Sequence, residues 1–125
     1  MRRVGNEKLD IRILFMKVEA ITRNVRISPR KVWEVTCEIQ GLRAARALEL
    51  LQVIPRKAAR LVARTLKSAI GNAENNAHLS RESLIVEEAV VGTGSTLKRT
   101  SARARGSSSL IRKRSSHIKI VLSDE

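Results

Sequence analysis

Most ionisable side chains of this sequence are cations. His78 and His117 are the only histidines and Cys37 is the only cysteine. No His/Cys/carboxylate cluster stands at metal-ligand spacing, and no glycine-rich phosphate loop occurs. The acids are scattered, mostly beside bases, so no acid–base pair for proton transfer is legible along the chain. These absences argue against an enzyme, and no cofactor or metal is expected. What the residues can do is hold a polyanion. Lys and Arg number 25 against 12 Asp and Glu, a net charge of +13 with a pI near 11.4. So large a charge repels itself until a polyanion offsets it, nucleic acid being the usual one and an anionic membrane surface the alternative.

The bases are also sorted. Thr96–Ile118 reads TLKRTSARARGSSSLIRKRSSHI: seven Lys and Arg, His117, one central glycine and no acid. Residues 55–77 hold five bases and one acid, whereas residues 78–96 hold one base and three acids. The stretch after Thr96 has too little apolar material for a core of its own and takes its order from a negatively charged partner. A DNA-bending arm usually carries an apolar wedge at its tip. Here the tip is Ala102-Arg103-Ala104-Arg105-Gly106-Ser107. Its small residues suit close backbone approach inside folded RNA, which tips the balance toward RNA without removing the DNA-bending class.

Elements must position these bases. The length fits one domain, 42% of residues are hydrophobic, and aromatics make up only 2%. One cysteine rules out an internal disulfide framework and points to a reducing compartment. The apolar runs fall short of the ~20 residues of a membrane helix, and Ile11–Met16 is too short for a signal-peptide core. Residues 1–16 read as a weakly structured extension, and residues 17–125 as one globular domain with an extended β-hairpin at about 92–116. Lys17–Ile27 reads as a strand with Ile21, Val25 and Ile27 on one face. A helix follows, with Ser28 as N-cap, Pro29 in the first turn and Gly41 at the C-terminal end. Val32, Val35, Thr36 and Ile39 form its apolar face. Arg30 and Lys31 stand in the first turn, where the helix dipole disfavours cations; either a phosphate lies nearby or both are simply solvated. Trp33 reads as core packing ahead of a base-stacking platform, and Cys37 as a small buried hydrophobe.

A second helix spans Arg43 to Val53, and a third runs from Pro55 to about Asn75. On the third, Arg56, Lys57, Arg60, Arg64 and Lys67 fall within an arc of roughly 100°. Such an unmixed stripe favours phosphate contact over a solvated face, which would mix signs. Gly71 inside this helix has no evident reason. Ser83–Val91 reads as a strand, with Leu84, Val86 and Val90 against Ile85, Ala89 and Val91. His117–Leu122 reads as its partner, with Ile118, Ile120 and Leu122 toward the core. His117 reads as a hydrogen-bonded strand-end residue, with phosphate contact second. Between these strands, arms of roughly ten to thirteen residues would project on the order of 30–40 Å.

Several runs resemble one known family. They are Arg26-Ile27-Ser28-Pro29-Arg30-Lys31, Pro55-Arg56-Lys57-Ala58-Ala59, and Lys67-Ser68-Ala69-Ile70 with Asn72-Ala73-Glu74-Asn75-Asn76. The arm adds Thr96-Leu97-Lys98-Arg99, Arg103-Ala104 with Gly106, and Ile111-Arg112-Lys113-Arg114-Ser115-Ser116-His117-Ile118. Over roughly residues 16–123 these are similar, in order and spacing, to the large-subunit ribosomal protein twenty-two family.

The resemblance implies an α+β fold, three helices packed on a small three-stranded antiparallel sheet with a long protruding β-hairpin. It implies a structural, non-catalytic constituent of the large subunit that binds 23S-type ribosomal RNA early in assembly. The globular domain would sit near the polypeptide exit beside neighbouring large-subunit proteins, with the hairpin lining the exit tunnel. Lys98, Arg99, Arg112, Lys113 and Arg114 would hold RNA along the hairpin, and Arg26, Ser28, Arg30 and Lys31 would hold it on the globular domain. The stripe bases Lys57, Arg60, Arg64 and Lys67 and the imidazole of His117 complete the expected RNA-binding set. Arg103, Ala104, Arg105, Gly106 and Ser107 would form the tip beside the nascent polypeptide. No membrane partner is implied, and the ribosome could be that of a bacterial cytoplasm or of an organelle. The chain departs from the family pattern at Thr100–Ala102, at Ser107 and at Trp33.

Overall fold

Val32, Val35, Thr36 and Ile39 recur at helical spacing, and all four are buried. The same rule builds each helix of the body. The computed structural model describes residues 17–124. In chain order they form β1 (Lys17–Val25), α1 (Pro29–Ile39), α2 (Ala44–Val53), α3 (Lys57–Asn76), β2 (Leu84–Thr93), β3 (Leu97–Ala102), β4 (Ser108–Lys113) and β5 (Ser116–Asp124). β1, β5 and β2 make an antiparallel sheet in that order, and β3 pairs with β4 as a separate hairpin. The fold is α+β, as expected. The extension read over residues 1–16 lies outside the described residues.

The last strand occupies the middle of the sheet. Ile118, Ile120 and Leu122 point from β5 into the core, which they share with Val62, Leu66 and Ala69 of α3 and Val32 and Ile39 of α1. Fully burying each large aliphatic side chain contributes about 1.5–3 kcal/mol. Thr22 and Thr65 tie β1 to α3 through their hydroxyls, 2.8 Å apart. Thr65 donates to the Leu61 carbonyl, which leaves Thr22 as the donor in that pair. Gly41, at φ +88°, turns the chain out of α1; its amide donates to Val86 and the Val86 amide donates back to Leu42. The left-handed backbone there explains why glycine ends this helix. Ser28 is the N-cap residue, but its side chain makes no capping bond.

Two strand expectations need correction, and both failed through bulges. β1 slips register between Thr22 and Val25, with Asn24 at φ +55°. Ala20 and Val25 are therefore buried while Ile21 stays 44% exposed on the outer face. β2 slips between Val86 and Glu88. Leu84, Val86 and Ala89 point inward as a result, and Val90 faces outward at 47% exposure. A single inserted residue moves every later side chain to the opposite face.

That outer face holds mixed charge. Lys17 pairs with Glu87 at 2.8 Å and Lys119 with Glu19 at 3.3 Å. Hydrogen bonding to Glu87, with its charge, raises the Lys17 pKa above its ordinary value. The Lys17 side of this exposed bond is kept at neutral pH and lost as pH rises through that raised value.

Gly71 lies in the middle of α3, and a Cβ built there meets nothing within 4 Å. Gly71→Ala should therefore raise stability by about 1 kcal/mol, read as a higher urea midpoint at unchanged slope. A lower midpoint would mean that the open space at Gly71 has been misjudged.

Candidate nucleic-acid interface

Two grooves meet at one pair of residues. The larger, ~670 Å³, runs along α3 past Arg56, Lys57, Arg60, Arg64 and Lys67, with exposed Val53 on its far wall. The second, ~460 Å³, is bounded by Arg26, Ser28, Lys31 and Glu34, and again by Arg56 and Lys57. Together they form one basic channel from the start of α1 to the middle of α3. Lys57 fixes their junction by donating to the Arg26 carbonyl at 3.0 Å. Arg56 is set apart, because Glu34 accepts from it at 2.7 Å and neutralises it. The sequence-derived bases Arg26, Lys31, Lys57, Arg60, Arg64 and Lys67 thus share one surface, with the uncapped Ser28 among them. Arg30 does not join them. It projects on the other side of α1, beside Pro29, Trp33 and Val91.

The arm is interrupted where the sequence suggested a continuous hairpin. Pairing of β2 with β5 ends at Thr93–Ser116, and the β3–β4 ladder spans Leu97–Lys113 to Ala102–Ser108. Each arm strand has six residues, so the ladder itself extends about 20 Å. The joint is tight: the Gly94 amide donates to the Ser115 carbonyl at 2.9 Å, and the Ser115 hydroxyl donates to the Ser95 carbonyl at 2.6 Å. A Cβ on Gly94 would fall onto that hydroxyl and lie 3.1 Å from the Ser115 carbonyl carbon. Only glycine lets the two strands of the arm approach so closely here.

Register decides how the arm presents charge. Lys98 stands directly opposite Arg112, and on the other face Arg99 is diagonal to Lys113. Each face therefore carries two bases near the stem. Like charges directly opposite each other are destabilising unless an anion lies between them. Among the described residues no base of the arm is in an ion pair, and the four ion pairs found all lie on the body. At the tip, the Arg103 amide donates to the Ser107 carbonyl at 2.8 Å, and the Arg103 side chain donates to the Ser109 hydroxyl at 2.8 Å. Arg105 and Gly106 both take left-handed backbone, φ +59° and +73°. Arginine is strained in that region and glycine is not.

His117 sits at the stem with Nδ1 accepting from the Asn24 amide at 3.0 Å, which matches its hydrogen-bonded reading. Nδ1 is then unprotonated and Nε2–H is the donor left over. Its partner is not legible along the chain, because the contact depends on the β1 bulge at Asn24. Two further expectations are corrected. Trp33 is 59% exposed and Cys37 is exposed, because both fall on the outward side of α1. Among the described residues no helix is long and apolar enough to cross a membrane.

Four of the described acids are in ion pairs on the body, and the bases gathered along a channel and an arm form the surface of a binding protein suited to a polyanion. Residues 20–123 match the family described as Ribosomal protein L22p/L17e. The chain belongs to this family of ribosomal proteins. It is 48% identical over 110 residues to the large ribosomal subunit protein uL22 of Akkermansia muciniphila, covering 88% of this chain and 98% of that one. The uL22 protein of Opitutus terrae is 51% identical over 109 residues, covering 87% and 96%. That of a Thermoanaerobacter strain is 47% identical over 110 residues, covering 88% and 99%.

Proposed function

We propose that this chain is a structural constituent of the large ribosomal subunit that binds 23S-type ribosomal RNA during early assembly. The channel bases Arg26, Lys31, Lys57, Arg60, Arg64 and Lys67, with Ser28, hold phosphates on the body. Lys98, Arg99, Arg112, Lys113 and Arg114 hold them along the arm, with Nε2–H of His117 as a donor at its stem. The body lies near the polypeptide exit beside neighbouring large-subunit proteins. The arm lines the tunnel, with Arg103–Ser107 facing the nascent polypeptide. The ribosome in question is cytoplasmic or organellar.

One observation carries this reading: among the described residues the bases of arm and channel lack acidic partners, Arg56 apart, in a chain whose relatives are large-subunit proteins. Binding to large-subunit RNA should fall steeply with salt, since many phosphates are neutralised. Affinity for duplex DNA should be far lower at the same salt. Equal affinity for the two at physiological salt would restore the DNA-bending class.

Within the arm, Arg112→Ala with Arg114→Ala should impair incorporation into reconstituted subunits much more than Lys119→Ala. Lys119 is the matched control because Glu19 already holds its charge on the outer sheet face. The reverse order of effects would undo the assignment of the arm.

A further inference from the structure

Trp33 is the only tryptophan of the chain. It projects from the solvent side of α1, 59% exposed, where an amphipathic helix ordinarily carries polar residues. An indole left in water forgoes the large apolar burial that an aromatic side chain offers. Around it Pro29, Arg30 and Val91 wall a shallow recess of ~250 Å³. The recess is mostly apolar, and among the described residues its one charge is a base and no acid lines it. It also has a position. Val91 immediately precedes Gly92 and Thr93, where β2 gives way to the arm, and Arg30 adjoins Lys31 of the basic channel. The recess is therefore lined by residues that adjoin, along the chain, both surfaces that bind RNA in the function proposed above.

We infer that Trp33 is a stacking platform for an unpaired base of the ribosomal RNA, with Arg30 holding that nucleotide's phosphate. The inference rests on the RNA-binding reading and adds a contact that reads a base face rather than charge. Unstacked bases settle on aromatic faces whatever their identity, whereas an apolar protein partner would find only Pro29 and Val91 beside the ring and a cation at its rim.

Because the ring is the sole tryptophan, its own fluorescence reports the contact. The full-length protein is titrated with protein-free large-subunit RNA, and filter binding measures occupancy independently. Emission should be quenched as RNA binds, and acrylamide should lose access to the ring. Trp33→Ala should weaken binding about tenfold with the slope against salt unchanged, since stacking releases no counterions, while Trp33→Phe should recover most of the loss. Bound RNA with unchanged emission and unchanged acrylamide quenching overturns the inference and leaves the RNA-binding reading standing. Protection that appears only after other large-subunit proteins are added also overturns it, in favour of a protein contact. Absence of any RNA binding on the filter removes the reading beneath it, and the inference with it.

Discussion

Replacing Lys57, Arg60, Arg64 and Lys67 together by alanine should flatten the salt dependence of binding to large-subunit RNA. Each phosphate contact contributes about 0.7–0.9 to the slope of log affinity against log salt, so four contribute about 3. Between 50 and 200 mM salt the advantage of the natural chain over this variant should then shrink roughly 50- to 150-fold. All four side chains are exposed and none is in an ion pair among the described residues, so beyond the exposed bond from Lys57 to the Arg26 carbonyl the body should keep its stability. Arg56→Ala alone should change the slope least, because Glu34 already neutralises that guanidinium. An unchanged slope in the fourfold variant would show that the channel does not meet phosphates.

The second large effect concerns the arm before it meets RNA. A lone two-stranded hairpin is marginally stable, and this one sets Lys98 against Arg112. Leu97, Leu110 and Ile111 are 41–48% exposed, so its apolar side chains gain little burial. Amides of residues 97–113 should exchange with solvent almost unprotected in the free protein. Those of Ile118 and Ile120 on the central strand, and of Leu66 in α3, should be slowed at least about a thousandfold, in keeping with global unfolding of an ordinary domain. Addition of ribosomal RNA should then protect the arm. Arm amides as slow as those of the central strand in the free chain would mean that the hairpin orders itself.

How much of this was legible in the sequence depended on period and punctuation. Val32, Val35, Thr36 and Ile39 marked the buried face of α1, Gly41 its end, and Ile118, Ile120 and Leu122 the inward side of β5, because none of these is interrupted. Ile21 and Val90 were placed wrongly because strand alternation carries no mark of a bulge; the slips arise at Asn24 and Glu87 from the geometry of pairing with β5. Residue type alone argues for Trp33 and Cys37 inside, yet their places on the helix put them outward. The stripe on α3 was visible as an arc of bases. Its continuation to Arg26, Ser28 and Lys31 was not, since it depends on the loop that Lys57 holds by the Arg26 carbonyl. The role of Gly94, which lets Ser115 approach, likewise depends on the pairing of the two chain segments and carries no local mark.

The most direct test of a large-subunit role is sedimentation of the tagged full-length chain through a sucrose gradient after a high-salt wash. Bound by many phosphate contacts and a threaded arm, the chain should stay with the large subunit, at a constant ratio to the other proteins retained there. A chain released to the top of the gradient, or found equally with both subunits, would contradict a structural place in the large subunit.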